Sequence, residues 1–175
     1  MFTDPESNIE SFGIEPGMKI ADMGAGSGFY SISAAKRVGN TGKVYAIEVQ
    51  KEVLAKIKND ADRAGVNNIE YIWGDIEVPN GTRLGNKVVD AVFLSNTLFQ
   101  VENKKGTLLE AFRILKPKGR ILLIDWSDSF GGMGPIQSAV VTDKMAKELL
   151  ESVGFQFVKE FNPGEHHYAL VMKKP

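Results

Sequence analysis

The sequence predicts an α/β fold built around a doubly wound, mostly parallel sheet. Apolar runs alternate with amphipathic segments from Met18 onward, and a glycine-dense turn separates the first such run from the first helical pattern. The ending differs. The last two strand-like runs are separated only by Asn162 to His167, too short for a parallel crossover, so they must pair antiparallel.

The elements follow in order. Within the short N-terminal segment 1–16, Pro5 to Phe12 offers one short helix. KIADMG (Lys19–Gly24) reads as a buried strand and FYSISAAKRV (Phe29–Val38) as a helix closed by Gly39. KVYAIEV (Lys43–Val49) is rich in β-forming residues. In the following segment Val53, Leu54, Ile57, Ala61 and Ala64 share one helical stripe, with Gly65 as the stop. NIEYIWGD (Asn68–Asp75) is a third strand; after a turn-rich patch at Pro79–Asn86, VVDAVFLSN (Val88–Asn96) is a fourth. TLLEAFRIL (Thr107–Leu115) is helical and stops before Pro117. RILLIDW (Arg120–Trp126) is apolar until Asp125, as a central strand covered on both faces would be. A glycine-rich loop, SDSFGGMGP, precedes a helix that Thr142 caps and Gly154 ends. FQFVKEF (Phe155–Phe161) and YALVMKK (Tyr168–Lys174) make the final hairpin. The expected topology is five βα units followed by that hairpin.

Composition narrows the function classes. The 175 residues are expected to form one domain, with 43% hydrophobic and 25% charged residues. Twenty-one basic and 22 acidic side chains leave a net charge of -1, which gives no electrostatic footprint for duplex nucleic acid or an anionic membrane. Without cysteine, disulfides, thiolate metal sites and cysteine nucleophiles are excluded, and no metal centre is expected. MFTDPESNIESFGIEPG lacks the basic and apolar regions of a signal peptide, and no apolar run is long enough to span a bilayer. A cytoplasmic protein is expected.

The chemistry is concentrated in IADMGAGSGFYS, residues Ile20 to Ser31. In open α/β sheets ligands bind beyond the carboxyl ends of the strands, beside the first one. Gly28-Phe29 lacks the Gly-Lys-Ser/Thr ending of a phosphate loop, and Gly24, Gly26 and Gly28 are spaced Gly-x-Gly-x-Gly rather than in the dinucleotide pattern. Glu48 closes the second strand, where a carboxylate can accept both hydroxyls of a ribose. Asp75 follows the third, where it can accept a hydrogen bond from an adenine amine. Singly, each has a plainer reading as a tight turn, a solvated charge or a cap. Together with Asp22 they put acids at three consecutive strand ends around one crevice.

On these residues the sequence resembles the class I S-adenosylmethionine-dependent methyltransferases, from about Gly17 to the C-terminus. DMGAGSG, Glu48, Gly74-Asp75, DAVFLSNTLFQVE, RILKPKGRILLIDW and the closing hairpin carry the resemblance. It implies a Rossmann-like seven-stranded sheet in the order 3-2-1-4-5-7-6 with strand 7 antiparallel. It also implies that Asp22 and the loop of Gly24, Ala25, Gly26 and Gly28 hold the methionine part of S-adenosylmethionine. Glu48 would take the ribose, Asp75 the adenine amine, and Val49 and Ile76 the two faces of the adenine ring. Ser95 and Asn96 would border the reacting methyl.

Such a reaction needs positioning more than a strong base, because the sulfonium is already activated. Candidate bases are His166 and His167, the only histidines, with Asp125 and Asp128 near the end of the fifth strand. A polar hairpin turn and ordinary loop carboxylates explain them as well. Phe99, Trp126 and Phe130 are candidates to floor an apolar substrate, with plain core packing as the alternative. Phe99 and Gln100 stand where many small-molecule members of the family carry a histidine. Arsenite methyltransferases use cysteine thiolates, and amino-group methyltransferases of nucleic acids carry an Asn/Asp-Pro-Pro-Tyr/Phe motif; this chain has neither. The expected activity is methyl transfer to a small molecule, with S-adenosylhomocysteine as product. The alternatives are an RNA or protein methyltransferase and a non-catalytic cofactor-binding module. The short N-terminal segment would leave the acceptor side open, or completed by a partner such as a second copy.

Overall fold

The computed structural model describes residues 3–175, so residues 1 and 2 of the N-terminal segment lie outside the described residues. The strands are β1 (Lys19–Met23), β2 (Lys43–Glu48), β3 (Ile69–Trp73), β4 (Val89–Ser95), β5 (Leu115–Trp126), β6 (Gln156–Phe161) and β7 (His167–Lys173). They form one seven-stranded sheet in the order β3-β2-β1-β4-β5-β7-β6. β1 to β5 pair in parallel, while β7 runs antiparallel to both β5 and β6. The short Asn162–His166 connection dictates that reversal.

Helices α1 (Pro5–Phe12), α2 (Phe29–Val38), α3 (Lys51–Arg63), α4 (Lys104–Ile114) and α5 (Asp143–Ser152) cover the two faces. The central strands show why both need cover. On β4, Val92 and Leu94 enter one core layer with Leu108 and Ala111 of α4, while Ala91 and Phe93 enter the other with Phe12 of α1 and Ala34 of α2. β5 divides the same way, Ile121 and Leu123 against Leu122 and Ile124. Each layer is fully buried, which explains the unbroken apolar runs. Thr142 caps α5 by accepting from the Met145 amide, as its sequence position predicts.

The expectation of five βα units is corrected. β1, β2, β4 and β5 are each followed by a helix, but residues 74–88 join β3 to β4 through turns. Asn80, Arg83 and Lys87 there adopt left-handed backbone, which no continuous helix accepts. β5 also begins earlier than expected, at Leu115 beside Val89, because the chain passes straight from α4 into the strand and a bulge absorbs the irregularity. Among the described residues, no helix is long and apolar enough to cross a membrane.

Candidate functional site

The carboxyl ends of β1, β2, β3 and β4 open on one cleft of about 590 Å³. Its floor is the glycine turn. Gly24, Gly26 and Gly28 have φ of +77°, +50° and +79°, so each needs glycine on conformational grounds. Space adds to the demand: a Cβ on Gly24 would lie 2.9 Å from Thr97, and one on Gly28 would lie 2.8 Å from Ile57. Gly28 also begins α2 without a side-chain cap of its own, and the backbone of Ser31 in the first turn bonds to the Asp22 carboxyl.

Four acids line this space, and local backbone orients two of them. Glu48 accepts from the amides of Val49 at 2.9 Å and Gln50 at 3.3 Å with one oxygen, and from Gly26 at 3.1 Å with the other. Its carboxylate is thus tied to the glycine turn it faces. Asp75 accepts from the Glu77 amide at 2.9 Å, and Ile76 beside it is buried in the cleft wall. Asp22 is buried, and burial pushes its carboxyl up to about 6. The 2.6 Å hydrogen bond donated by Ser31 opposes that shift, and the charge of Glu48 adds to it. Glu77 is the fourth, and Lys56 is the cation among the cleft-lining residues.

The lining also includes neutral side chains, Tyr30, Ser95, Asn96, Thr97 and Gln100, with Thr3 and Pro5 contributed by the N-terminal segment. Asn96 has a left-handed φ of +52°. Gln100 donates to the Asn96 carbonyl at 2.8 Å, but the buried Oδ1 of Asn96 has no partner among the described residues. Asn8 of α1 donates to the Tyr30 hydroxyl at 2.9 Å and to the Pro163 carbonyl at 3.3 Å, so α1 joins this wall to the loop before β7.

The proposed cofactor contacts Asp22, Gly24, Ala25, Gly26, Glu48, Val49, Asp75, Ile76, Ser95 and Asn96 therefore come together in one cleft, and Gly28 sits just behind it at the start of α2. The four candidate bases are not among the residues that line it. Asp125 is wholly buried and accepts from the Phe99 amide at 3.1 Å and the Trp126 amide at 2.8 Å; burial pushes its carboxyl up to about 6. It holds the chain after β4 in place. His166 pairs with Asp128 through Nδ1 at 2.9 Å and stacks on Phe130 with ring centroids 4.0 Å apart. His167 lies against Trp126 at 4.2 Å, and burial lowers its basicity. Phe99 packs against the core instead of flooring the cleft. Of the pair noted in the sequence where relatives carry a histidine, Gln100 lines the cleft; Tyr30, Gln50, Val53, Lys56, Thr97 and Val101 line it without a role assigned from the sequence.

A methyltransferase-domain family model matches residues 14–162. The chain belongs to the S-adenosylmethionine-dependent methyltransferase family. A crystal structure of such a methyltransferase from Aquifex aeolicus superposes with a TM-score of 0.90 and 28% identity, covering 99% of this chain and 91% of that one. The ubiquinone/menaquinone biosynthesis C-methyltransferase UbiE of Hydrogenovibrio crunogenus is 31% identical over 68% of this chain and 46% of its own length. The chain thus spans about half the length of that relative. An arsenic(III) S-adenosylmethionine methyltransferase from Chlamydomonas reinhardtii, at 21% identity and a TM-score of 0.71 over 90% of this chain and 63% of that one, shows the same fold.

The residues present fit the family's cofactor. Asp22, Glu48 and Asp75 and the unpartnered Asn96 Oδ1 are hydrogen-bond acceptors, three of them acidic. S-adenosylmethionine brings donors to match: an ammonium, two ribose hydroxyls and an adenine amine, together with a sulfonium charge. A pyrophosphate would instead bring negative charge against Asp22 and Glu48, with Lys56 to offset it.

Proposed function

We propose that this methyltransferase moves the methyl group of S-adenosylmethionine to a small-molecule acceptor met in the cytoplasm, releasing S-adenosylhomocysteine. The observation that carries the reading is the set of acids at the ends of β1, β2 and β3 on one cleft that also carries the neutral side chains of Tyr30, Ser95, Asn96 and Gln100. Glu48 takes the ribose hydroxyls, Asp75 the adenine amine, and Val49 and Ile76 flank the ring. Asp22 and the turn from Gly24 to Gly28 receive the methionine end, and the unpaired Asn96 Oδ1 accepts from a donor there. When bound, the cofactor supplies an activated methyl group with a neutral thioether as leaving group.

The chain's own task is then to orient and to exclude water. Ser95, Asn96, Gln100 and Tyr30 surround the acceptor end, and none of them is an acid or a base at neutral pH. An acceptor that arrives already nucleophilic suits this lining. The C-methyltransferase relative, named for quinone biosynthesis, supports a carbon acceptor of the reduced, quinol type.

Calorimetry with S-adenosylmethionine, S-adenosylhomocysteine and NAD tests the cofactor; tight NAD binding without either of the others would sink the reading. Release of S-adenosylhomocysteine across a panel of quinols, phenols, amines and bulk RNA tests the acceptor. Turnover on RNA alone would replace the small molecule with a macromolecule.

A further inference from the structure

Residues 74–82 carry Asp75 and Ile76 into the cleft without a helix to support them. The loop closes on itself: a Cβ on Gly81 would overlap the Asp75 carbonyl, and one on Gly74 would overlap the Gly81 carbonyl. Two ties hold it to α4: at the helix start Glu77 accepts from the Asn103 amide at 2.7 Å and its carbonyl from the Asn103 side chain at 3.0 Å, and farther along the helix stands Glu110. Glu110, 2% exposed, accepts from the Asn80 amide at 3.1 Å with one oxygen. With the other it accepts from the Thr82 amide at 3.2 Å and the Thr82 hydroxyl at 2.6 Å. Arg113 closes the pair from the same helix, donating through Nε at 2.9 Å and Nη2 at 2.7 Å. The guanidinium then reaches the Leu84 carbonyl at 2.9 Å and Asn86 at 2.7 Å, farther along the same connection. Neither Glu110 nor Arg113 lines the cleft.

A buried carboxylate is costly unless every lone pair is used, and here the acceptors are taken up by Arg113 and by the loop itself. Burial alone would raise the Glu110 carboxyl, yet the bonds from Arg113, Thr82 and Asn80 outweigh it and hold it near about 2. The pair therefore stays charged throughout the neutral range. At Asn80 it also stabilises a left-handed backbone that would otherwise be unfavourable.

We propose that Glu110 and Arg113 are positioning residues for the purine end of the cleft, setting the 74–82 loop so that Asp75 and Ile76 are pre-placed for an adenosine ligand. This rests on the cofactor reading above. The pair touches no ligand; it spares the ligand the ordering of the loop.

The test is calorimetric binding of S-adenosylmethionine to the whole chain, wild type and variants. Wild type that fails to bind would overturn the cofactor reading and this inference together. With wild type binding, Glu110→Gln is expected to weaken affinity roughly tenfold and Thr82→Val about threefold. Thr82→Val keeps the Arg113 pair and carries the test if Glu110→Gln does not fold. The decisive arm is a cycle with Asp75→Ala. If the pair acts through Asp75, the second substitution should cost less than about twofold in that background. Hydrogen exchange should quicken at the Asn80 and Thr82 amides while β4 and β5 stay protected. Wild-type affinity in the variants overturns the inference while leaving the cofactor reading intact, as does a loss that is fully additive with Asp75→Ala.

Discussion

Two regions meet at the carboxyl edge of the sheet, and they are built differently. On the β1–β3 side, backbone does the holding: glycines with positive φ shape the turn, and amides of Gly26, Val49 and Gln50 fix Glu48. On the β5–β7 side, side chains do it: His166 meets Asp128 and Phe130, and His167 meets Trp126. Phe130, Met133 and Ile136 there are exposed, whereas the corresponding turn after β1 is polar and glycine-rich. Backbone-held sites tolerate few sequences, so they leave a pattern; side-chain contacts between loops can be made in many ways and leave little. On the function proposed above, the first region is the one that holds the cofactor.

The sharpest way to break that contrast is Glu48→Ala. Two charge-assisted hydrogen bonds to a ribose are worth about 3–4 kcal/mol together, so S-adenosylmethionine affinity should fall by two to three orders of magnitude. Circular dichroism should show the fold intact, because Glu48 lies at a strand end. Unchanged affinity by calorimetry would remove the ribose assignment. Gly28→Ala attacks the same wall through stability. It places a Cβ 2.8 Å from Ile57 at φ +79°, and the combined strain and crowding should cost about 3 kcal/mol in denaturant unfolding. A loss near that for an ordinary surface glycine would show that the turn can relax.

The pH dependence separates the regions at single carboxylates. Asp22 and Asp125 both titrate near about 6 in the fold, against 3.8 for the unfolded chain. Between those values the folded state binds more protons than the unfolded one, so each group makes stability fall as pH rises from about 4 to about 6. Asp125→Asn should gain about 2–3 kcal/mol relative to wild type across that window, read as the difference in Tm at pH 4 and pH 7. At Asp22 the same proton opposes the cofactor. S-adenosylmethionine binding should strengthen as pH rises through 6 in wild type and lose that dependence in Asp22→Asn. A flat profile in wild type would separate Asp22 from the cationic end of the ligand.

The legibility of these features follows the same division. The strands, the reversed β7 and the glycine turn of the cleft are readable because each rests on a local constraint: burial on two faces, a short connection, glycines at alternate positions. Asp125 was misleading, since a carboxylate at a strand end looks the same in sequence whether it faces a ligand or caps amides. Glu110 and Arg113 are an acid and a base three residues apart on a helix, a spacing with no signal of its own, and the return of residues 80–86 covers them. The start of β5 was obscured by Pro117, a residue that reads as a break yet here sits inside the strand. Tyr30 and Thr97 give no signal, because neutral side chains in the cleft follow no spacing rule.

The smallest expected effect makes the contrast most exact. His166→Ala removes the pair with Asp128 and the stack on Phe130, both partly exposed, and should cost no more than about 1 kcal/mol of stability. S-adenosylmethionine affinity should stay within about twofold, because His166 is not among the cleft-lining residues and Glu48, Asp75 and Asp22 keep their partners. The 127–136 segment should instead become more open to limited proteolysis, having lost its side-chain ties to His166 and keeping the bond from the Ser127 amide to the His166 carbonyl. If S-adenosylhomocysteine release then drops more than tenfold at saturating cofactor, His166 acts on the acceptor after all. In that case the side-chain-held region contributes a catalytic group, and the division between a backbone-held and a side-chain-held region becomes one between binding and chemistry.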